Sequence, residues 1–483
     1  MCYLGKKKKD KVTVKCIGMS SVEVTGSGYL VECPTGESVI LDFGIYQSSK
    51  PYEDYKINKR KLSFKASAID AVIISHINAD HYCMLPYAKK HGLNCPIFLS
   101  EETIDFVKPM FEDCAKIMLR DAESFNKKLK HEHEPIYTID DVNDTLPLLR
   151  GCTKNEFHYI SENVWFRLIN AGHIFGSCQI ELYVKMPSGS IKKIAYSGDL
   201  GNILFEQPFV ENFEPITKCS LFIGETTYNE PNRSVKKNQR EKDKELIKNV
   251  IIQTCIDKKG IVLIPTFALQ RTETMLYTLW NIFKDDKSFK IPIIVDSPLA
   301  VILLDCFKNN LQGDWLDKFN EMMNWENIKI IRTVEDSIAC VVDDSPKIVC
   351  SSSGMLTQGR SILYLKKILP RSNCSIITCG YMAEGGIGWK IKNNPTQKTI
   401  TIDQKAYPNR CDIKCATSFS SHMQYEELMN YYTNIANNGC DIIWLVHGDK
   451  NKLKFKEELE KRISKINKTT RVVATNKDTV ARI

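Results

Sequence analysis

The sequence predicts an α/β protein in which one α/β unit is inserted into another, and three observations carry that expectation. The opening stretch is a series of short strand-like runs. After Glu225 the pattern changes to short apolar strands alternating with helical segments, as in a mostly parallel sheet. From about residue 415 to 473 the chain returns to strand-like sequence. No internal repeat or low-complexity linker separates these parts, so an insertion fits better than a tandem pair. At 483 residues the chain also exceeds the usual size of one hydrophobic core.

Taken in order, 11–17 and 27–33 are strand-like runs with turn residues between them, and Val39-Ile40-Leu41-Asp42 is a strand that ends on a carboxylate. The apolar run 71–74 reads as a buried strand. Residues 84–90 and 101–130 turn helical and lysine-rich, and strands resume at 164–169, 179–184 and 193–196. A polar basic stretch, 229–248, then leads into a helix, and Ile261-Val262-Leu263-Ile264 opens the alternating region.

Hydrophobic residues make up 43% and charged residues 26%, which excludes a disordered or fibrous chain. No apolar run is long enough to span a bilayer; 261–264 is broken by Pro265. Lys6 to Lys9 has no apolar stretch behind it, so no signal peptide is expected. The 18 cysteines lack paired CxxC spacing, which argues against a zinc ribbon and a disulfide framework and points to the reduced thiols of a cytoplasmic protein. A net charge of +8 fits a polyanionic partner, and fits a lysine-rich solvated surface as well.

The chemistry begins at Ser75-His76-Ile77-Asn78-Ala79-Asp80-His81, directly behind the buried strand. His, Asp and His at a strand end bring imidazole and carboxylate ligands to one point, as a dinuclear metal site requires. The segment reads as HxHxDH with Asn78 in place of the second histidine. Three other histidines have site-like contexts: His173 in Ala171-Gly172-His173, His422 in Ser420-Ser421-His422, and His447 in Val446-His447-Gly448. His91, His131, His133 and His158 lie in lysine-rich or loop-like sequence and read as surface or hydrogen-bonded residues. Asp199 and Glu225 each follow a strand. Asp42, Asp80, Asp199 and Glu225 converging without a cation would repel one another, so their presence argues for metal.

In their order along the chain, Gly26-Ser27-Gly28, the His76 to His81 segment, Ala171-Gly172-His173, Ser197-Gly198-Asp199 and Glu225-Thr226-Thr227-Tyr228 resemble the metallo-β-lactamase-fold nucleases. Ile264-Pro265-Thr266-Phe267, Ser351-Ser352-Ser353-Gly354, Gly380-Tyr381, Ser420-Ser421-His422 and His447-Gly448 resemble their β-CASP branch, which includes the cleavage-and-polyadenylation and Integrator endonucleases and bacterial RNase relatives. The resemblance covers nearly the whole chain. It implies an αββα metallo-β-lactamase sandwich from 1–229 and 416–483, with a β-CASP α/β domain, 230–415, inserted between the two parts.

The resemblance also implies roles. His76, Asn78, His173 and Asp199 would hold one metal, and Asp80, His81, His447 and a bridging Asp199 the other; Asp42 would orient histidine ligands by hydrogen bonding. Two zinc ions are expected, or one, with Mn²⁺ as the alternative metal. A metal hydroxide would attack an RNA phosphodiester, with Asp80 among the catalytic groups, and His422, oriented by Glu225, would protonate the leaving oxygen. The products would carry a 5′-phosphate and a 3′-hydroxyl. A histidine at 447 resembles the RNA-directed members, so single-stranded RNA is the expected partner, alongside self-association or a related subunit. Ser351, Ser352, Ser353 and Gly354 are candidates for phosphate contacts or a simple turn.

Asn78 sets the alternatives. An amide coordinates only through its carbonyl oxygen, a weaker zinc donor than imidazole nitrogen, so the first metal site is expected to be weakened. A pseudoenzyme acting as a subunit of an RNA-processing complex is the first alternative, and a small-molecule metallo-hydrolase the second. The large inserted region argues against the latter.

Overall fold

The apolar run before the first histidine cluster forms the strand Ala71–Ile73, with all three side chains buried. In this computed structural model, which describes residues 11–129, 131–380, 382–466 and 469–483, the strand lies inside a seven-stranded sheet. Lys6 to Lys9 and Tyr381, singled out above, lie outside the described residues. The sheet runs Val480–Arg482, Thr13–Cys16, Gly28–Glu32, Ser38–Phe43, Ala71–Ile73, Ile97–Ser100, Leu149–Cys152. A second seven-stranded sheet runs Arg471–Ala474, Ile442–Val446, Leu221–Glu225, Ile191–Tyr196, Cys178–Lys185, Val164–Asn170, His158–Tyr159.

Successive side chains on a strand point to opposite faces. Those facing inward, including Val14, Val31 and Leu41 of the first sheet and Phe166, Leu182 and Trp444 of the second, meet in one core between the sheets. Each such side chain contributes roughly 1.5–3 kcal/mol by leaving water. Outward residues of the second sheet, Phe222, Ile443 and Val472, pack against Leu428, Tyr432 and Leu459 of the helices Tyr425–Asn437 and Lys452–Ile463. Beside the first sheet, helix Ile104–Leu129 packs on Ile139–Thr145 and on Leu149–Cys152. The result is the helix–sheet–sheet–helix layering expected.

These elements form one compact unit from residues up to Ile203, Val210–Ser234 and Ser421–Ile483; Leu204–Phe209 and Val235–Ser420 form a second. The second unit is built on six strands in the order Ile328–Ile330, Ile293–Val295, Lys347–Ser351, Ile261–Pro265, Ser375–Thr378, Asp412–Cys415. Every pairing among them is parallel, and Leu263, Val349, Leu365 and Ile376 lie in a core on one side. The basic stretch 229–248 does not merely precede a helix: helix Gln239–Ile251 begins inside it. Arg240, Asp243, Ile247 and Val250 fall three or four residues apart and are buried along one helix face. Arg240 lies between the rings of Phe205 and Phe419 and donates to the Ser418 carbonyl. Among the described residues, no helix is long and apolar enough to cross a membrane.

Candidate metal centre

Strands Ser38–Phe43 and Ala71–Ile73 run parallel, as do Ile191–Tyr196, Leu221–Glu225 and Ile442–Val446. Residues at or just past their C-terminal ends emerge along one edge of each sheet, where open α/β sheets bind ligands. Asp42, His76, Asp199, Glu225 and His447 occupy these positions. Close backbone approach holds the edge together. A Cβ on Gly44 would lie 1.8 Å from the Asp80 carbonyl oxygen, and Gly198 adopts φ +54° beside Ser75. Asp42 and His447 are also left-handed, with φ of 55° and 49°. Such conformations cost non-glycine residues of order 1–3 kcal/mol, and they gather at functional sites.

The expected ligands come together. Asp199 Oδ2 lies 3.6 Å from both His76 Nε2 and His173 Nε2. Its Oδ1 lies 3.3 Å from His81 Nε2 and 3.6 Å from His447 Nδ1. Asp80 Oδ2 lies 3.2 Å from His447 Nε2 and 3.8 Å from His81 Nε2. His76, His173 and Asp199 thus form one group of converging ligand atoms, and Asp80, His81 and His447 another. Asn78 precedes the short helix Ala79–Tyr82, and its amide nitrogen is 3.4 Å from His173 Nε2. Turning the amide over would put its oxygen there instead.

These residues fit a metal. His76 Nε2, His81 Nε2, His173 Nδ1 and Asp199 Oδ1 are buried and make no hydrogen bond, each at a cost of about 1–3 kcal/mol if left unsatisfied. Imidazole nitrogen with carboxylate oxygen is a zinc-type donor set. Burial pushes His76 well below the usual histidine range, and burial with the nearby His422 takes His173 down to about 3, so both rings are neutral. Burial also disfavours charge on His81, but the Asp199 and Asp80 carboxylates outweigh it and raise its pKa well above the usual value. In turn, His447 and His81 outweigh burial at Asp199 and hold its carboxyl well below the carboxylate range. His81 therefore holds a proton among ionised carboxylates, and a cation would compete with that proton for the same place.

Asp42 sits behind these groups. Its carboxylate accepts from His81 Nδ1 at 2.7 Å, from the Ser75 amide and hydroxyl at 2.7 and 2.6 Å, and from the Tyr196 hydroxyl at 2.8 Å. Glu225 accepts from the amides of Leu200 and Thr227 at 2.9 and 2.8 Å and lies 3.2 Å from His422 Nδ1. Burial disfavours charge on His422, yet Glu225 raises its pKa above the usual value, and His422 holds the Glu225 carboxyl below its own. Each group thus favours the charged form of the other, imidazolium beside carboxylate. The rings of His422 and His173 are 4.5 Å apart, so His422 stands beside the candidate ligand cluster.

Two supports had no reading from sequence. Thr227 Oγ1 lies 3.0 Å from His447 Nδ1, and the Tyr196 hydroxyl reaches Asp42. Both residues fall inside or next to the quoted motifs, which was the available signal. In the second unit, Ser351 is buried and its hydroxyl donates to the Asp296 carbonyl. Ser352 shares a 2.6 Å hydrogen bond with Ser297, Ser353 caps Thr357 at 3.0 Å, and Gly354 packs close to Phe267.

Comparison with known proteins gives three domain matches. Residues 22–118 match the metallo-beta-lactamase superfamily, 272–391 the Beta-Casp domain, and 407–472 the Zn-dependent metallo-hydrolase RNA specificity domain. A ribonuclease of Thermus thermophilus is 28% identical over 446 residues, spanning 89% of this chain and 92% of its own. An RNase J-like protein of Methanocaldococcus jannaschii is 29% identical over 445 residues, 90% of each chain. The transcription termination factor FttA of the same organism is 27% identical over 403 residues, and the match spans 60% of that longer protein.

Proposed function

The chain belongs to the metallo-β-lactamase superfamily, in its branch with Beta-Casp and RNA-specificity domains, and from that premise we propose that it is a metal-dependent ribonuclease acting on single-stranded RNA. The observation that supports this reading is the acid pair Glu225–His422 beside two groups of converging ligand atoms, of which His76 Nε2, His81 Nε2 and Asp199 Oδ1 make no hydrogen bond. Bound zinc ions, two in this reading, would supply Lewis-acid activation of water and neutralise charge on the phosphate. His76, Asn78, His173 and Asp199 would hold one, and Asp80, His81, Asp199 and His447 the other.

The chain's own groups do the rest. Asp42 accepts the Nδ1 proton of His81 and so turns Nε2 toward the cluster. Thr227 supports His447 from the side. Glu225 keeps His422 protonated through Nδ1, which assigns Nε2 to deliver a proton to the leaving oxygen. Ser352, Ser353 and Gly354 are assigned to phosphate contacts, while Ser351 supports their turn. The acid pair and, apart from Asn78, a full set of ligand groups favour catalysis over a binding-only role, and the inserted domain favours a polymer over a small molecule.

The test is metal content per chain, measured with cleavage of a labelled single-stranded RNA, for the wild type and Asn78→His. About two zinc ions with cleavage in the wild type is the expected result, and Asn78→His should tighten the first site. Absence of both metal and cleavage from the wild type, with both restored by Asn78→His, would sink the reading of this chain as an enzyme.

A further inference from the structure

Among the described residues, helices cover only part of the outer face of the second sheet. Phe222 and Ile443 lie under the helix Tyr425–Asn437, whereas farther along the sheet the same face carries aromatic and basic side chains. Strand register sets Tyr159 beside Trp165, Trp165 beside Tyr183, and Tyr183 beside Lys193, one row across four strands. Arg167 and Glu181 are opposite each other in the next row. The Trp165 and Tyr183 rings are parallel within 1°, with centroids 5.7 Å apart, and Tyr159 and Phe157 flank them at 6.3 and 5.6 Å. Phe157 is 50% exposed and Tyr159 68%.

The cations are fixed in place over these rings. Arg167 lies 5.4 Å from the Phe157 centroid and Lys193 5.7 Å from that of Tyr183. Glu181 pairs with both and accepts from the Tyr183 hydroxyl at 2.8 Å. A cross-strand aromatic row stabilises a sheet, but that role does not require two rings at its end to face water, and exposed apolar clusters ringed by charge mark binding surfaces.

We propose that this face is a second RNA-binding surface, remote in function from the metal centre, on which unpaired bases stack against Phe157, Tyr159 and Trp165. Base–aromatic stacking tolerates any sequence. Arg167, Lys185 and Lys193 share these strands' outer face with one carboxylate, Glu181, and the positive excess suits a phosphate backbone. The edge strand His158–Tyr159 is only two residues long, so it offers little backbone for a protein strand to pair with. The proposal rests on the RNA reading above.

Fluorescence anisotropy of a long oligouridylate on full-length wild type and on a Phe157→Ala/Tyr159→Ala double variant tests it, with melting temperature as the folding control. The double variant should melt like the wild type and bind the long RNA more weakly, by about ten-fold for each ring removed. Photocrosslinking of an iodouridine-substituted RNA should label Tyr159 or Phe157. If the wild type binds and cuts the RNA and the double variant binds it equally well, this proposal falls while the ribonuclease reading stands. If the wild type neither binds nor cuts RNA, both fall. Loss of self-association in the variant, with RNA affinity unchanged, would overturn the RNA assignment in favour of a protein-binding face.

Discussion

Asp42 and Glu225 are both buried carboxylates at strand ends, yet the function proposed above gives them opposite tasks. Asp42 spends its oxygens on Ser75, Tyr196 and His81, so in the proposed centre it would act on a metal through its neighbours, through His81 directly and through His76 by way of Ser75. Asp42→Asn keeps the shape but loses the charge that orients the imidazole, and should weaken zinc binding 10–100-fold, read by competition with a chromogenic chelator. Glu225→Gln leaves the ligand groups in place and removes the charge that keeps His422 protonated. Metal content should stay at the wild-type level while RNA cleavage falls by roughly 10²–10⁴; a parallel loss of metal would contradict the separation of roles. The candidate ligands were legible in sequence because the His76 to His81 segment directly follows the apolar run 71–74, while His173, Asp199 and His447 each stand beside a glycine. Thr227 and Tyr196 were not, because their partners, His447 and Asp42, are far away in the chain, and a hydroxyl's hydrogen bond leaves no local pattern.

At the scale of elements, strands were easier to read than helices. Runs such as 261–264 and 71–74 are apolar throughout because both faces are covered, whereas helix Gln239–Ile251 hides its buried face among lysines and uses Arg240 and Asp243 as core residues. Helix Arg271–Phe283 contains a less visible conflict. Glu273 in its first turn is fully buried, and its carboxyl oxygens make no full hydrogen bond, only weak approaches to nearby backbone amides. Burial pushes this carboxyl up to about 8, with the backbone amides of Glu273 and Gln270 offsetting only part of the cost. In the unfolded chain it titrates near 4.3. The folded state therefore holds its proton more tightly, so the stability linked to this group is fully present below about pH 4.3 and is lost as pH rises toward 8. The loss has a ceiling of about 5 kcal/mol. Glu273→Gln should melt much like the wild type at pH 5 and clearly higher at pH 8; equal melting temperatures at pH 8 would mean that the carboxylate finds a partner or water when it ionises.

At the scale of the molecule, the metal centre joins distant parts of the sequence. Asp42, His76, Asp80 and His81 come from the first sheet and the turn behind it, Asp199 from the second, and His447 from the chain's return after the second unit. The return was legible because strand-like sequence and two histidine motifs reappear after the alternating region; how the two sheets face each other was not, since that depends on side-chain packing between them. No preformed site exists in the unfolded chain, so cation binding adds directly to folding stability. A ligand that binds only the native state stabilises it by RT ln(1 + [L]/Kd), about 4 kcal/mol at a thousand-fold excess over Kd. Removing the cation leaves Asp80 and Asp199 facing each other across His81 and His447, with His76 Nε2 and His81 Nε2 unsatisfied. Chelation should therefore lower the melting temperature of this protein by several degrees as well as abolish RNA cleavage, and added zinc should restore both together. A melting temperature indifferent to chelator and zinc would mean that the histidines and carboxylates satisfy one another, and that the cluster holds the fold without a metal.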